Sequence, residues 1–111
     1  ADDGITELDL STNRELTYLD CHAHRITKLD VSQNHKLDTL RCDNNQLTEL
    51  IFSSTPSLTD LNCNFNKLKS LDISKQTNLI SLGIIMNEGF SGSLDLKKHT
   101  KLKYLYCNGI T

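Results

Sequence analysis

The sequence predicts a β-rich solenoid built from short parallel strands, with little or no helix. Leucines recur every 21 residues along almost the whole chain, and each repeat contains two triplets in which apolar and polar residues alternate. The composition agrees with this fold, because no Trp, three Phe, three Tyr and one Met leave most of the apolar volume to Leu and Ile. Such side chains fill narrow, uniform layers better than one globular core.

The 21-residue period aligns several apolar columns. Written as one unit, the repeat is L-x-x-L-x-C-x-x-N-x-L-x-x-L-D-[LVI]-S-x-x-x-x. The leucine of the first triplet, L-x-C, stands at Leu19, Leu40, Leu61, Leu82 and Leu105. The second triplet, L-D-[LVI] or a variant of it, occupies residues 8–10, 29–31, 50–52, 71–73 and 94–96.

Both triplets are expected to form short strands on opposite sides of a flattened coil. Side chains alternate between the two faces of a strand, so Leu19 and Cys21 point inwards while Tyr18, Asp20 and His22 point to solvent. One coil cannot bury both of its apolar faces alone. The coils therefore stack in parallel, with strands ~4.8 Å apart, and each coil covers its neighbour.

These columns resemble the leucine-rich repeat family, in its short 21-residue, cysteine-containing type found in bacterial internalin J-like proteins and in Bacteroidetes. The match is carried by residues 37–50 and 58–73 and extends from about Ile5 to the last residue. The resemblance implies a curved, right-handed horseshoe in a secreted or cell-surface bacterial protein, often used in adhesion. We expect residues 1–111 to form a single domain of about five repeats, partial at both ends, and one alternative is that the chain is a fragment of a longer protein.

Cysteine and asparagine columns are interpreted as structural. Thiols stacked on successive rungs would have parallel Cα–Cβ vectors, which suits neither disulfides nor a tetrahedral zinc site, so small unpaired thiols beside leucines are expected. Inward asparagines can satisfy backbone groups at the turn after the first strand. His24 replaces one of these asparagines, and Ile84 replaces one cysteine. The columns comprise Cys21, Cys42, Cys63, Cys107, Asn45, Asn66 and Asn87.

A column of aspartates occupies the middle position of the second triplet, and two explanations for it remain open. Carboxylates one rung apart repel each other, so some compensation is needed. The first explanation is solvation together with hydrogen bonds to flanking hydroxyls, such as those of Ser11, Ser32 and Ser74. The second is a bridging calcium ion, although no oxygen-rich loop accompanies the column. Its members are Asp9, Asp30, Asp72 and Asp95.

Charge and motifs argue against several classes of function. The net charge of −2, without a run of like charges, disfavours nucleic acid as a partner, and no apolar stretch is long enough for membrane insertion. The pair His22 and His24 lacks a third metal ligand, and the segment from Gly89 to Gly92 lacks the strand-to-helix context of a nucleophilic serine. We therefore predict no enzyme activity, no cofactor and no metal site.

The candidate binding surface is the concave face, defined as the outward side chains of the first strands and of the residues that follow them. These positions vary from rung to rung while the inward positions repeat, and the aromatic and apolar ones lie towards the C-terminus around Gly83. Met86 and Phe90 could form its rim, or Phe90 could pack inwards where a leucine is missing. The predicted binding residues are Tyr18, His22, Arg41, Asn62, Ile85, Tyr104 and Tyr106.

The leading hypothesis is a non-catalytic module that binds a protein or glycan through the concave face. The alternative is a structural spacer that carries another domain of a longer surface protein. We expect a monomer or weak end-to-end association.

Overall fold

The computed structural model describes residues 4–52, 55–92 and 94–107, which form a solenoid of parallel strands and contain no helix. This confirms the predicted fold class. Every strand is three residues long, as expected when a coil of 21 residues must turn twice. The strands are β1 (Tyr18–Asp20), β2 (Lys28–Asp30), β3 (Thr39–Arg41), β4 (Glu49–Ile51), β5 (Asp60–Asn62), β6 (Ser81–Gly83) and β7 (Tyr104–Tyr106).

One side of the solenoid is a five-stranded parallel sheet in the order β1, β3, β5, β6, β7. Its register is that of the repeat, since the central leucines pair in sequence, beginning with Leu19 and Leu40. The residue after each strand continues the pairing, and the N–H of Cys42 donates to the Asn62 carbonyl at 2.9 Å. The sheet therefore fixes where each residue of the cysteine column sits.

The other side of the solenoid is less regular than the sequence pattern predicts. Only β2 and β4 pair there, whereas residues 8–10, 71–73 and 94–96 form no strand. Leu71 and Ile73 are nevertheless buried. The fourth repeat has two extra residues, and the N–H groups of Ser91 and Gly92 both donate to the Lys69 carbonyl. Alternation thus predicts which side chains are buried here, but not whether neighbouring backbones form a ladder.

The core is a stack of apolar layers between the two sides. The aligned leucines of the central coils are completely buried, whereas Leu105 in β7 is exposed and Leu19 in β1 is partly exposed. Phe90 packs against the core, in agreement with the inward alternative for that residue. The fully buried central residues include Leu37, Leu40, Leu47, Leu58, Leu61, Leu68, Leu79 and Leu82.

The inward asparagines join successive coils. The Asn66 side chain donates from Nδ2 to the carbonyls of Cys42 and Cys63, each at 3.1 Å, and accepts from the Leu47 N–H at 3.0 Å. Asn45 and Asn87 repeat this pattern in their own coils. In the first coil, His24 replaces the asparagine as acceptor only: its Nδ1 accepts a hydrogen bond from the Ile5 N–H at 3.3 Å.

A second buried polar column, not recognised in the sequence analysis, lies at the other turn. Asn34 donates from Nδ2 to the carbonyls of Leu10 and Asn13 in the preceding coil, at 3.2 and 2.8 Å. Further along, the imidazole of His99 hydrogen-bonds the Ile73 carbonyl through Nε2 at 3.0 Å. The members of this column also recur once in every repeat, although the residue type changes from coil to coil. The buried members are Asn34, Thr55, Gln76 and His99.

Each of the first four turns also contains a residue with left-handed backbone geometry. These residues are Ala23, Asn44, Phe65 and Met86, with φ between 57° and 60°. Asparagine tolerates this region, whereas Ala, Phe and Met are strained there. The strain recurs because the turn must bring the next residue inwards, where it joins the two coils.

The thiols of the cysteine column are free and buried at Cys21, Cys42 and Cys63, and the free thiol of Cys107 is partly exposed. The Cys63 Sγ donates to the Gly83 carbonyl of the next coil at 3.2 Å. Burial raises the pKa of Cys21 to about 11 and that of Cys63 to about 12, and it raises the pKa of Cys42 well above its usual value. These three thiols are therefore protonated at neutral pH.

Asn66→Ala should lower the free energy of unfolding by about 3 kcal/mol, because it leaves the buried Leu47 N–H without its partner and removes one of the two side-chain donors to each of the Cys42 and Cys63 carbonyls. Urea denaturation followed by circular dichroism measures the change. Asn13→Ala is the matched control, since Asn13 is exposed, and it should stay within about 0.5 kcal/mol. Equal effects of the two substitutions would contradict the role given to the asparagine ladder.

Ala23→Asn should raise the free energy of unfolding by about 1 kcal/mol, because asparagine adopts the left-handed conformation at lower cost than alanine. Ala23 is exposed, so little packing changes. The reciprocal substitution Asn44→Ala should destabilise the protein by a similar amount in the same urea experiment. A destabilised Ala23→Asn protein would show that the turn is not strained at this position.

The native protein should react with Ellman's reagent at Cys107 and not at the other three cysteines, because the thiolate is the reactive form. In about 6 M guanidinium chloride, enough to unfold a typical domain, all four thiols should react. Cys107→Ser should abolish the native reaction. Rapid reaction of more than one thiol in the native state would contradict the buried column.

Candidate functional site

The concave face is formed by the outward side chains of the five-stranded sheet, and every predicted binding residue lies on it. Tyr18 and His22 belong to the first rung and Arg41 to the second, while Tyr104 and Tyr106 lie on β7. Asn62 ends β5, and Ile85 lies two residues after β6. The face divides into a charged N-terminal part and a C-terminal part with aromatic side chains.

The charged N-terminal part is a set of neighbouring opposite charges. The His22 Nδ1 hydrogen-bonds the Asp20 Oδ1. This bond raises the pKa of His22 and lowers that of Asp20. Contact with the Tyr18 phenol raises the pKa of Arg41, and the carboxylates of Asp20 and Asp60 raise it further. Asp20 and Arg41 are paired in register, so opposite charges lie side by side on these two strands.

A depression of about 270 Å³ lies between this charged part and β7. Gly83, the outward residue that ends β6, has no side chain to fill this space and is buried. The depression brings together four of the predicted binding residues, while Tyr18, His22 and Tyr104 lie outside it. Its lining consists of Arg41, Asp60, Leu61, Asn62, Asn64, Ser81, Gly83, Ile85 and Tyr106.

Backbone hydrogen bonds orient the two amide side chains of the depression. The Asn62 Oδ1 accepts the Asn64 N–H at 3.1 Å, and the Asn64 Oδ1 accepts the Ile85 N–H of the next coil at 2.7 Å. A Cβ atom on Gly83 would lie 2.8 Å from the Asn64 Oδ1. Glycine at position 83 is therefore what allows Asn64 to reach across to the next coil.

The C-terminal part of the concave face carries large exposed side chains. Tyr104 and Tyr106 are 54% and 49% exposed, and Ile85 beside them is partly exposed. Phe65 and Met86, in the turns at the ends of the third and fourth strands of the sheet, are 48% and 51% exposed. This concentration of apolar surface is absent from the N-terminal coils, where the same turn positions hold Ala23 and Asn44.

Three polar residues of the depression were not selected from the sequence: Asp60, Asn64 and Ser81. The period places them on the concave face, yet each is a common polar surface residue and nothing in its type indicates a site. The sequence feature that indicates a depression here is Gly83, because a small residue among larger ones on one face leaves a space. Phe65 was also missed, since the left-handed conformation of its turn cannot be read from one residue.

The aspartate column is explained by local hydrogen bonds. Each carboxylate accepts the backbone N–H two residues later, at 3.0 Å for Asp9 and 2.8 Å for Asp30. The residue two positions after Asp9, Asp30 and Asp72 is a serine. Its hydrogen bonds lower the pKa of Asp9, mainly through the N–H, and those of Asp30 and Asp72, mainly through the hydroxyl. The first of the two explanations therefore agrees with the structure. Among the described residues, no three His, Cys, Asp or Glu side chains are grouped closely enough to hold a metal ion.

Comparison with known proteins gave one informative similarity. No protein-family model matches the chain, and the search of curated proteins found no match. Among solved structures, the chain is similar to the functional domain of InlJ from Listeria monocytogenes, whose description states that it includes a cysteine ladder. The TM-score is 0.76 at 32% identity, and the alignment covers 95% of this chain and 28% of that one. The chain thus spans little more than a quarter of the protein that it matches.

The similarity and the geometry agree on the type of repeat. InlJ is an internalin, and its ladder of cysteines has its counterpart in the inward column of Cys21, Cys42 and Cys63. Where the structure describes the chain, it contains no helix of the length and apolar character needed to cross a membrane. The chain is a parallel-strand solenoid of 21-residue, leucine-rich coils with an inward cysteine column, and 95% of it is similar to part of the InlJ domain.

Proposed function

We propose that this chain is a non-catalytic recognition module that binds a protein partner through the C-terminal part of its concave face. One observation carries the proposal: two half-exposed tyrosines and Ile85 stand together on a face whose opposite side is filled by repeating leucines. Tyrosine is enriched among the residues that dominate binding energy at protein interfaces. Tyr104 and Tyr106 are consistent with that role.

The rigidity of the frame supports this proposal. Tyr104 and Tyr106 extend from a strand that is paired in register with β6, so the positions of their Cα atoms are fixed before binding. A tyrosine side chain has few rotatable bonds, and less conformational entropy is lost when it is held at an interface. The similarity to an internalin domain points in the same direction.

We further propose that the module belongs to a secreted or cell-surface protein. The similarity to InlJ supports this location. The three buried thiols of Cys21, Cys42 and Cys63 are compatible with it, because burial raises their pKa values, which makes them poorly reactive in an oxidising environment.

The test is binding of the labelled chain to an array of secreted and cell-surface proteins. A specific signal should be lost in the double variant Tyr104→Ala, Tyr106→Ala, because about 1 kcal/mol or more per anchor would be removed. The control variant is Lys28→Ala, Glu49→Ala, which removes an exposed ion pair of 3.9 Å on the opposite sheet and should leave the signal unchanged.

Two results would contradict the proposal. A signal that survives the tyrosine double variant and disappears in the control variant would place the interface on the opposite sheet. No specific signal for any protein would favour the spacer alternative. Circular dichroism of each variant establishes that the fold is retained.

A further inference from the structure

The depression beside Tyr106 has the chemistry of a site for a neutral ligand. It contains one cationic side chain, Arg41, and one anionic side chain, Asp60. Both side chains line the same depression, so its formal charges sum to zero. An anion would meet the Asp60 carboxylate, and a cation would meet the Arg41 guanidinium. An uncharged ligand is repelled by neither side chain.

Hydrogen-bonding groups around the depression are held in place and remain available. The Oδ1 atoms of Asn62 and Asn64 are occupied by backbone N–H groups, which fixes the side chains and leaves both Nδ2 groups as donors. Neither Nδ2 group donates to another residue in the described part of the chain. The Ser81 hydroxyl can donate or accept, and the Asp60 carboxylate accepts.

The remaining wall of the depression is apolar. Ile85 contributes an aliphatic side chain and Tyr106 an aromatic ring that is about half exposed. An aromatic ring beside directed polar groups suits a ligand that has C–H surface on one side and hydroxyl groups at its edge. Few neutral biological groups combine these two features, and a sugar ring is the commonest of them.

We propose that this depression binds one sugar ring, so that the partner of the concave face is glycosylated. The proposal rests on the function proposed above and names the chemistry of the ligand at the same site. The volume agrees with a single ring, because about 270 Å³ lies just below the range of pockets that hold drug-sized ligands, roughly 300 to 1,000 Å³. Longer glycans would extend from the depression over the open face.

The rival occupant is an unmodified polypeptide segment. Peptide groups repeat along a line, and an edge strand of the sheet offers them a regular row of partners. In the depression, by contrast, the donors and acceptors are side chains from four successive rungs, and they lie around Gly83 and not along one line. This arrangement favours a compact ring over an extended chain.

A titration of the ¹⁵N-labelled chain followed by NMR tests the proposal. The probes are the methyl glycosides of glucose, galactose, mannose and N-acetylglucosamine, up to about 50 mM, since one small ligand in an open site binds with a Kd of the order of millimolar. At least one glycoside should produce saturable shifts in the side-chain amide signals of Asn62 and Asn64. Glycerol, which has hydroxyl groups and no ring, should produce none.

Variants then locate the bound sugar. Tyr106→Ala should weaken the glycoside affinity about tenfold or more, whereas Tyr106→Phe keeps the ring and should stay within about threefold. Gly83→Ala should also abolish binding, because its Cβ would displace the Asn64 side chain. If Gly83→Ala does not fold, the two Tyr106 variants still decide the question, because Tyr106 is exposed and either change leaves the core intact.

The inference is overturned if no glycoside produces saturable shifts, or if the affinity is unchanged in Tyr106→Ala. The protein array separates this failure from that of the proposed function. A protein that binds equally well after enzymatic deglycosylation, through Tyr104 and Tyr106, would support the protein-binding function and overturn the sugar. Loss of the array signal on deglycosylation, together with saturable glycoside shifts, would support both.

Discussion

The backbone hydrogen bonds that join each coil to the next determine almost every other property of this molecule. A strand of three residues cannot be stable alone, and within one coil neither the strand nor the turn satisfies its own polar groups. The sheet supplies partners for the strands, and the asparagine ladder supplies them for the turns. Because both kinds of bond connect equivalent positions, strands and turns stay in register, and the two extra residues of the fourth repeat are accommodated without breaking the pairing of β6 with β7.

This constraint separates the interior of the solenoid from its exterior. Leucine, cysteine and asparagine recur inwards because each position faces its own copy in the next coil, as Leu40 faces Leu61. Outward positions have no such requirement, so they change freely without altering the frame. The depression uses this freedom: Gly83 removes one side chain, and Asn64 extends into the space without any change in sheet register. A site of this kind costs the fold little.

The sequence predicted the fold well and the site only in part, for a physical reason. Periodicity reports burial, and burial is what the repeat conserves from coil to coil, so the inward column of Cys21, Cys42 and Cys63 follows directly from it. The second polar column was missed because Asn34, Thr55, Gln76 and His99 share a location but not a residue type. Pairing of the second triplets was overestimated, since alternation reports which side chains are buried and not whether neighbouring backbones hydrogen-bond each other. Depressions depend on combinations of side chains from several rungs, which no single repeat reveals.

Several departures from the repeat lie next to the candidate site, while others, such as His24, lie in the first coil. Ile84 replaces the inward cysteine directly after Gly83, the two extra residues follow in the same coil, and Phe65 and Met86 hold bulky side chains in left-handed turns. Asn44 shows that the frame accepts an unstrained residue at this turn position. Sequences that fold well keep local preferences and global structure in agreement, and strained exceptions tend to gather at functional sites. The turn requires the left-handed conformation but not a large side chain, so Phe65 and Met86 add exposed apolar surface at the same end of the concave face as Tyr106 and the depression.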